Sequence, residues 1–382
     1  MRILVVPAID WFTALENRVH HLARSWAARN EIHIVHLPLG GDPMRGSEGY
    51  AIHRLSTVRT RNLLTYYLIN FLPQILQMTR LIRRQAIELV VTTNLSAGTA
   101  AILAARISGV PSIFDYCDYL PAFSRYAGKS AFLQPILRTI GEMITVLNFR
   151  MADATVATGH LLRAHAMDFS RAVLEIPNGV DGSRFVGVPR WQPGDRPVLG
   201  YVGILEFFVD LRSAMEALKV LEGARLVVAG DGRDRAKLVS FARASGLEDR
   251  VEFLGKVSYD QLPRWIATMD VCLLPFQRSE LTESALPLKI HEYAACCRPI
   301  VSTPLFEVVR MYGDLLAYAE GPAEIACKAN WILENRKETI RRIRRSYLRA
   351  TVTYSWARFG ARYQEAFLRA LGARGTANLE EG

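Results

Sequence analysis

The chain has 382 residues, enough for two domains that each bury a core, and half of them are hydrophobic against 22% charged, which excludes a disordered or low-complexity protein. Lys and Arg number 47 against 37 Asp and Glu, a net charge of +10 that attracts phosphorylated small molecules, acidic lipid heads or nucleic acid without choosing among them. Five cysteines, with no CxxC pair and no zinc-type spacing to histidine, point to reduced thiols rather than a disulfide framework or a metal site.

The opening "RILVVP" is a short apolar run suited to a strand buried on both faces. Its apolar stretch is too short for a secretory signal. A helix from about Leu15 to Arg29 follows, then the strand "EIHIVHL". The segment "LLTYYLINFLPQILQMT", residues 63–79, has no charge and nearly reaches membrane-span length, yet it contains Pro73 and polar residues and is bordered by arginines. It predicts a surface or interfacial helix. Further strands are expected at "IELVVTTN", "PSIFDYCD", "ADATVATG" and "VLEIPNGV", with helix-length segments between them.

"VGVPRWQPGDRP" is rich in Pro and Gly and lacks periodicity, as an interdomain linker does. The strand signals then restart at "PVLGYVG", "ARLVVAG", "VEFLG", "VCLLPF" and "PIVST", and beyond Gly321 only helix is expected. The fold class is therefore α/β, with two doubly wound parallel-sheet, Rossmann-like domains facing a central cleft. The expected limits are 1–185 for the first domain, 186–196 for the linker, 197–353 for the second domain, and 354–382 for a helix crossing back to the first.

Ligands of open parallel sheets bind beyond the carboxyl ends of the strands, so the loops there carry the candidate chemistry. Neither half has GxGxxG after its first strand, which argues against a nicotinamide dehydrogenase. In "LTESALPLKIHEYAACCRPIVST", Pro287 suits the first turn of a helix, and Lys289 and Glu292, three apart, share one face near its N-terminus. Free N–H groups and an ammonium there make a seat for a diphosphate, with Glu292 positioned to accept from ribose hydroxyls. A solvated Lys–Glu surface pair is the alternative.

The ordered set "LGYVG", "LVVAGDG", "VEFLGKVSYDQLP", "DVCLLPF" and "PLKIHEYAACCRPIVST" resembles the donor domain of family 4 glycosyltransferases with the GT-B fold, from about Ile176 to Arg310. "GILEFFVD" and "PLKIHEY" are similar to a subgroup of bacterial exopolysaccharide and teichuronic-acid glycosyltransferases. The resemblance implies that Glu292 binds the ribose of a nucleotide sugar, that Lys289 faces its diphosphate, and that Gly203 lets backbone approach that group. It further implies a turn at Gly230 and Gly232, and base contacts at Leu254, Gly255 and Lys256. The subgroup's lysine helix also brings Ser284 and Leu286 into the donor set. Two departures stand out: Ser284 occupies the position of the family's first glutamate, with Glu283 beside it, and the basic residues of the first loop are absent. Glu206 stands in that loop, assigned to a donor-sugar contact or to orienting a basic group.

In the first half, "DWFTALENRVHHLARSWA" resembles the first loop and helix of the same subgroup and makes Arg18, His20 and His21 candidates at the cleft, packing or surface roles being the alternative. Asp115 and Asp118, in "FDYCDYLPAF" at a strand end, are candidate bases, with turn capping the alternative for Asp115.

The whole implies a metal-independent hexosyltransferase without a cofactor beyond its UDP- or GDP-linked donor. Its expected acceptor is a saccharide or polyprenyl-linked intermediate of cell-surface or exopolysaccharide biosynthesis. Arg54, Arg59, Arg61, Arg80, Arg83 and Arg84 around residues 63–79, with the basic "RKETIRRIRRSYLRA", would hold it on an anionic membrane at the inner face of the plasma membrane, otherwise in the cytoplasm. No nucleic-acid motif accompanies the charge. A nucleotide-sugar epimerase or hydrolase, or a degenerate GT-B scaffold, are the competing functions.

Overall fold

The computed structural model describes residues 1–8, 11–12, 16–37, 49–58, 63–93, 95–123 and 133–380. It divides into two compact units, one of Met1–Pro177 with Phe359–Gly382 and one of Asn178–Arg358.

Unit 1 is built from β1 (Arg2–Val6), α1 (Arg18–Ala27), β2 (Glu31–His36), β3 (Ala51–Arg54), α2 (Leu63–Arg84), β4 (Leu89–Thr92), α3 (Ser96–Ile107), β5 (Ser112–Tyr116), α4 (Leu133–Met151), β6 (Ala154–Ala157), α5 (His160–Met167) and β7 (Val173–Glu175). Its sheet runs β3-β2-β1-β4-β5-β6-β7, all parallel. The continuous apolar runs have their reason here: Ile3, Leu4, Val5 and Val6 are fully buried because helices cover both faces. Leu15, expected to open the first helix, lies outside the described residues, as do Arg59 and Arg61.

Unit 2 contains β8 (Val198–Val202), α6 (Leu211–Ala217), β9 (Arg225–Ala229), α7 (Arg235–Ala244), β10 (Val251–Gly255), α8 (Leu262–Ala267), β11 (Val271–Leu274), α9 (Glu280–Ser284), α10 (Leu288–Ala295), β12 (Ile300–Ser302), α11 (Phe306–Tyr312), β13 (Ala317–Tyr318), α12 (Gly321–Glu334) and α13 (Arg336–Leu348). Strand order is β10-β9-β8-β11-β12-β13, again parallel. The order reverses between β8 and β11, the place where such sheets open a crevice at their carboxyl edge. A π-helical turn, Arg349–Thr353, precedes α14 (Trp356–Glu380). From Phe359 onward α14 belongs to unit 1, where Tyr363 and Phe367 pack on Trp26.

The segment 178–196 differs from the expected division. Val180 exchanges backbone hydrogen bonds with Tyr354 and Trp356, and Phe185 joins the core of unit 2. The Pro/Gly-rich stretch 186–196 is likewise pinned: buried Trp191 donates to the Asp270 carbonyl at 2.8 Å, and Arg298 donates to Pro189. Proline and glycine shaped this segment's path without leaving it loose.

Candidate donor and acceptor sites

In unit 2 the site is assembled where β8, β9 and β10 end. Gly203 follows β8 with φ +150°, and a Cβ placed there would lie 1.9 Å from Lys289 Cε and 3.0 Å from its Nζ. Only glycine lets this backbone approach the lysine so closely. Gly230 after β9 has φ +155°, and its Cβ would fall 1.7 Å from the Gly203 carbonyl oxygen. Gly203 N–H donates to Ala229 and Gly230 N–H donates to Gly255, at 2.9 and 2.8 Å, so the three strand ends form one continuous backbone rim.

The α10 helix brings the side chains to this rim. Lys289, Glu292 and Tyr293 share a face because they are three and four positions apart. Tyr293 is fully buried, and its hydroxyl accepts from Val202 N–H at 2.8 Å, fastening α10 to the end of β8. The preceding turn is held by Asn178, whose amide donates to the Leu286 carbonyl at 2.6 Å. Lys289 forms no hydrogen bond or ion pair among the described residues. Burial pulls its pKa below the ordinary lysine value, while the nearby Glu292 carboxylate opposes that shift. Glu292 itself is only 5% exposed. A partly desolvated ammonium beside an open-backboned glycine suits a dense anion.

The other donor-side candidates divide. Gly255 is tied to the rim through Gly230, Leu254 is half-buried against the core, and Lys256 is exposed just beyond. Glu206 is 8% exposed and lies 3.9 Å from Arg233, an arginine in the β9 loop. Ser284 is turned away, since its hydroxyl donates to the Glu280 and Leu281 carbonyls at 2.7 and 3.1 Å. Glu283 cannot replace it: its carboxylate takes Arg278 and the Phe306 N–H, each at 2.6 Å. The Leu286 side chain is buried and its carbonyl is the one Asn178 holds.

In unit 1, Arg18 and Asp115 meet inside the fold. Asp115 is fully buried and accepts from Arg18 Nε at 2.9 Å and from Nη2 at 3.0 Å, while Arg18 also donates to the Pro177 carbonyl and to Tyr363. Burial is the largest influence and works against the guanidinium, yet Asp115, through charge and hydrogen bonding, together with Tyr363 and Cys117 outweighs it and holds the pKa above its usual value. This clamp ties β5, α1 and α14 together and leaves Asp115 badly placed to take a proton from a substrate. His20 is equally committed: buried, its ring tilted against Trp11 with centroids 4.2 Å apart, it accepts from Asn17 N–H and closes the capping box of α1. His21, 3% exposed, lies 3.8 Å from Glu16.

Asp118 is different. It is partly buried, and its pKa is raised to about 6 by burial and by Asp115, against the pull of Arg18. The turn that carries it is braced by groups the motifs did not mark: the Tyr116 hydroxyl meets His165 Nδ1 at 3.1 Å, His165 Nε2 meets Glu142 at 2.6 Å, and Tyr119 donates to the same carboxylate at 3.3 Å.

Two family descriptions match this chain: "Glycosyltransferase Family 4" over residues 15–184, mostly in unit 1, and "Glycosyl transferases group 1" over 196–335, in unit 2. The chain belongs to the GT-B glycosyltransferases. It is 27% identical over 203 residues to the 2-deoxystreptamine glucosyltransferase of Streptomyces kanamyceticus, covering 49% of this chain and 52% of the relative. It is also 27% identical over 164 residues to the putative teichuronic acid biosynthesis glycosyltransferase TuaH of Bacillus subtilis strain 168, covering 42% and 40%. The chain thus spans about half the length, or less, of the curated relatives it matches. Among solved structures it is similar to sucrose-phosphate synthase of Thermosynechococcus elongatus, with TM-score 0.81 at 16% identity and coverage of 97% and 99%. It is likewise similar to Anabaena Alr3699/HepE in complex with UDP-glucose, with TM-score 0.74 at 15% identity and coverage of 96% and 99%. These likenesses carry the GT-B fold and leave residue roles to the geometry above. Within this GT-B chain, Tyr293 and Asn178 stood inside quoted motifs, but their role as fasteners depends on partners distant in sequence.

Proposed function

We propose that the protein is a glycosyltransferase that moves a hexose from a nucleoside-diphosphate sugar to a saccharide acceptor. What carries the reading is the meeting of Lys289, Gly203 and Gly230 at the carboxyl edge of unit 2, with Glu292 one helical turn from the lysine. Lys289 and the backbone rim would stabilise the charge growing on the departing diphosphate, Glu292 would hold the ribose, and Leu254 to Lys256 would border the base. Glu206 would contact the donor sugar or orient Arg233, which offers a positive charge in place of those missing from the first loop. This electrostatic provision supports a metal-independent transfer. Uridine is the favoured base, because the similar Anabaena structure is a complex with UDP-glucose; guanosine is the other.

Unit 1 would receive the acceptor, with Asp118 as its base if the reaction inverts. A lipid-linked acceptor in cell-surface polysaccharide synthesis is the finer part of the proposal, supported by the similarity to a relative named for teichuronic acid biosynthesis and by the arginine-bordered α2. The test of the donor site is thermal unfolding against a panel of nucleoside diphosphates, since a ligand bound only to the folded state raises the midpoint. A rise with one base, abolished in Glu292→Ala, is expected. A rise of the same size in Glu292→Ala would remove that residue from the site, and no rise with any base would favour a catalytically silent scaffold.

A further inference from the structure

Two helices of unit 1 carry an apolar stripe on their outward face. On α4 the exposed residues include Leu133, Ile136, Ile140, Met143 and Leu147, between 45% and 67% exposed and spaced alternately by three and four, so they form one stripe. The inward face of the same helix buries Gly141, Thr145 and Asn148 together with Phe149. Thr145 donates to the Gly141 carbonyl, and Asn148 is held by Thr99 and by the Leu95 carbonyl. On α2 the exposed stripe is Leu68, Ile69, Leu72 and Leu76, at 71%, 48%, 68% and 58%, while Asn70 and Gln74 are buried. Asn70 spends its amide on Val58 and Tyr66. A helix facing water places its polar groups outward; here apolar side chains take the outward positions while Asn70, Gln74, Thr145 and Asn148 are buried.

Helix α3 packs on both α2 and α4 and ends in exposed Ile107. Charge borders the apolar surface. Arg83 at the end of α2 donates to Ile107, and Arg106 at the end of α3 donates to Met151 at the end of α4, so the three carboxyl ends come together. Arg83, Arg84, Arg106 and Arg150 are all exposed at that end. Helix α2 contains no acidic residue, and the one in α4, Glu142, is engaged with His165.

We propose that α2 and α4 together form a docking face that seats the protein on an anionic membrane, their apolar stripes entering the headgroup boundary and the arginine end meeting lipid phosphates. The inference deepens the lipid-linked acceptor reading and rests on it, but involves none of the donor-site residues. A second copy of the chain is a poorer occupant, because α2 and α4 offer its arginine end no acidic group beyond the engaged Glu142, whereas an acidic lipid surface does. The mode is interfacial: among the described residues no helix is long and apolar enough to cross a membrane.

The experiment is flotation of the full chain with vesicles of phosphatidylcholine alone or with about a third phosphatidylglycerol, alongside sedimentation velocity without lipid. Floating with the acidic vesicles only is expected, weakened about tenfold or more by Ile140→Glu with Met143→Glu, and again by Leu72→Glu. Arg83→Gln with Arg84→Gln should weaken binding and flatten its dependence on salt. The nucleoside-diphosphate stabilisation should be unchanged in all of these variants, so failure of the docking face and failure of the donor site read out separately. Wild-type flotation by the glutamate variants, equal binding to neutral vesicles, or a dimer that those variants dissociate would each overturn the proposal.

Discussion

Lys289 holds a charge that its surroundings disfavour, which gives it a measurable signature. Burial lowers the ammonium's pKa in the free protein, and an arriving diphosphate would raise it again. Binding should therefore take up protons in the window between those two values, and affinity should fall as pH rises through the lowered value, earlier than an ordinary lysine would require. Calorimetry in buffers of different ionisation enthalpy checks this, with Lys289→Met showing neither effect. Asp118 has a signature of the opposite sign. With its pKa raised to about 6, a base role requires the carboxylate, so transfer should fall as pH drops through about 6, and Asp118→Asn should remove that limb of the profile. That Lys289 and Glu292 share one helix was legible because a short helix after a strand makes spacing of three a statement about geometry. Asp115 and His20 were misleading for a tertiary reason: a strand-end aspartate and a helix-opening histidine look alike in sequence whether they face a substrate or an arginine and a cap.

At the scale of elements, that buried pair now has a structural duty. Arg18 and Asp115 join α1, β5 and α14 across a buried contact, and removing one partner strands the other's charge. Asp115→Asn should therefore lower the stability of the chain by about 3–5 kcal/mol, read from denaturant unfolding, with nucleoside-diphosphate binding retained in unit 2. An unchanged midpoint would show that the clamp stabilises nothing. The buried strands were legible because helices on both faces demand unbroken apolar runs. Two strands escaped notice, β3 and β13, and both lie at sheet edges, where Ala51–Arg54 is only half-buried and Ala317–Tyr318 is two residues long. Neither offers the apolar continuity that identifies a central strand. The inverted face of α4 was missed for the converse reason, since a regular apolar stripe in sequence reads as a core-facing one.

For the whole molecule, two doubly wound units could be read from the restart of strand signals near Pro197, and the order reversal between β8 and β11 lies at the edge where the proposed phosphate seat was sought. The limit between the units was less accessible. Residues 178–185 lie in unit 2 because Val180 pairs beside Ser355, a contact between segments far apart in the chain. The Pro/Gly content of 186–196 signalled irregular backbone and said nothing of Trp191 anchoring it. The proposed function requires that the rim of Gly203, Gly230 and Lys289 bind a diphosphate. The deciding measurement is calorimetric titration of wild type and Lys289→Met with the preferred nucleoside diphosphate and with its nucleoside. Lys289→Met should lose about tenfold or more in affinity for the diphosphate, as expected for a charge-assisted contact, and almost none for the nucleoside. Equal affinities for the diphosphate in the two proteins would contradict the assignment of this site.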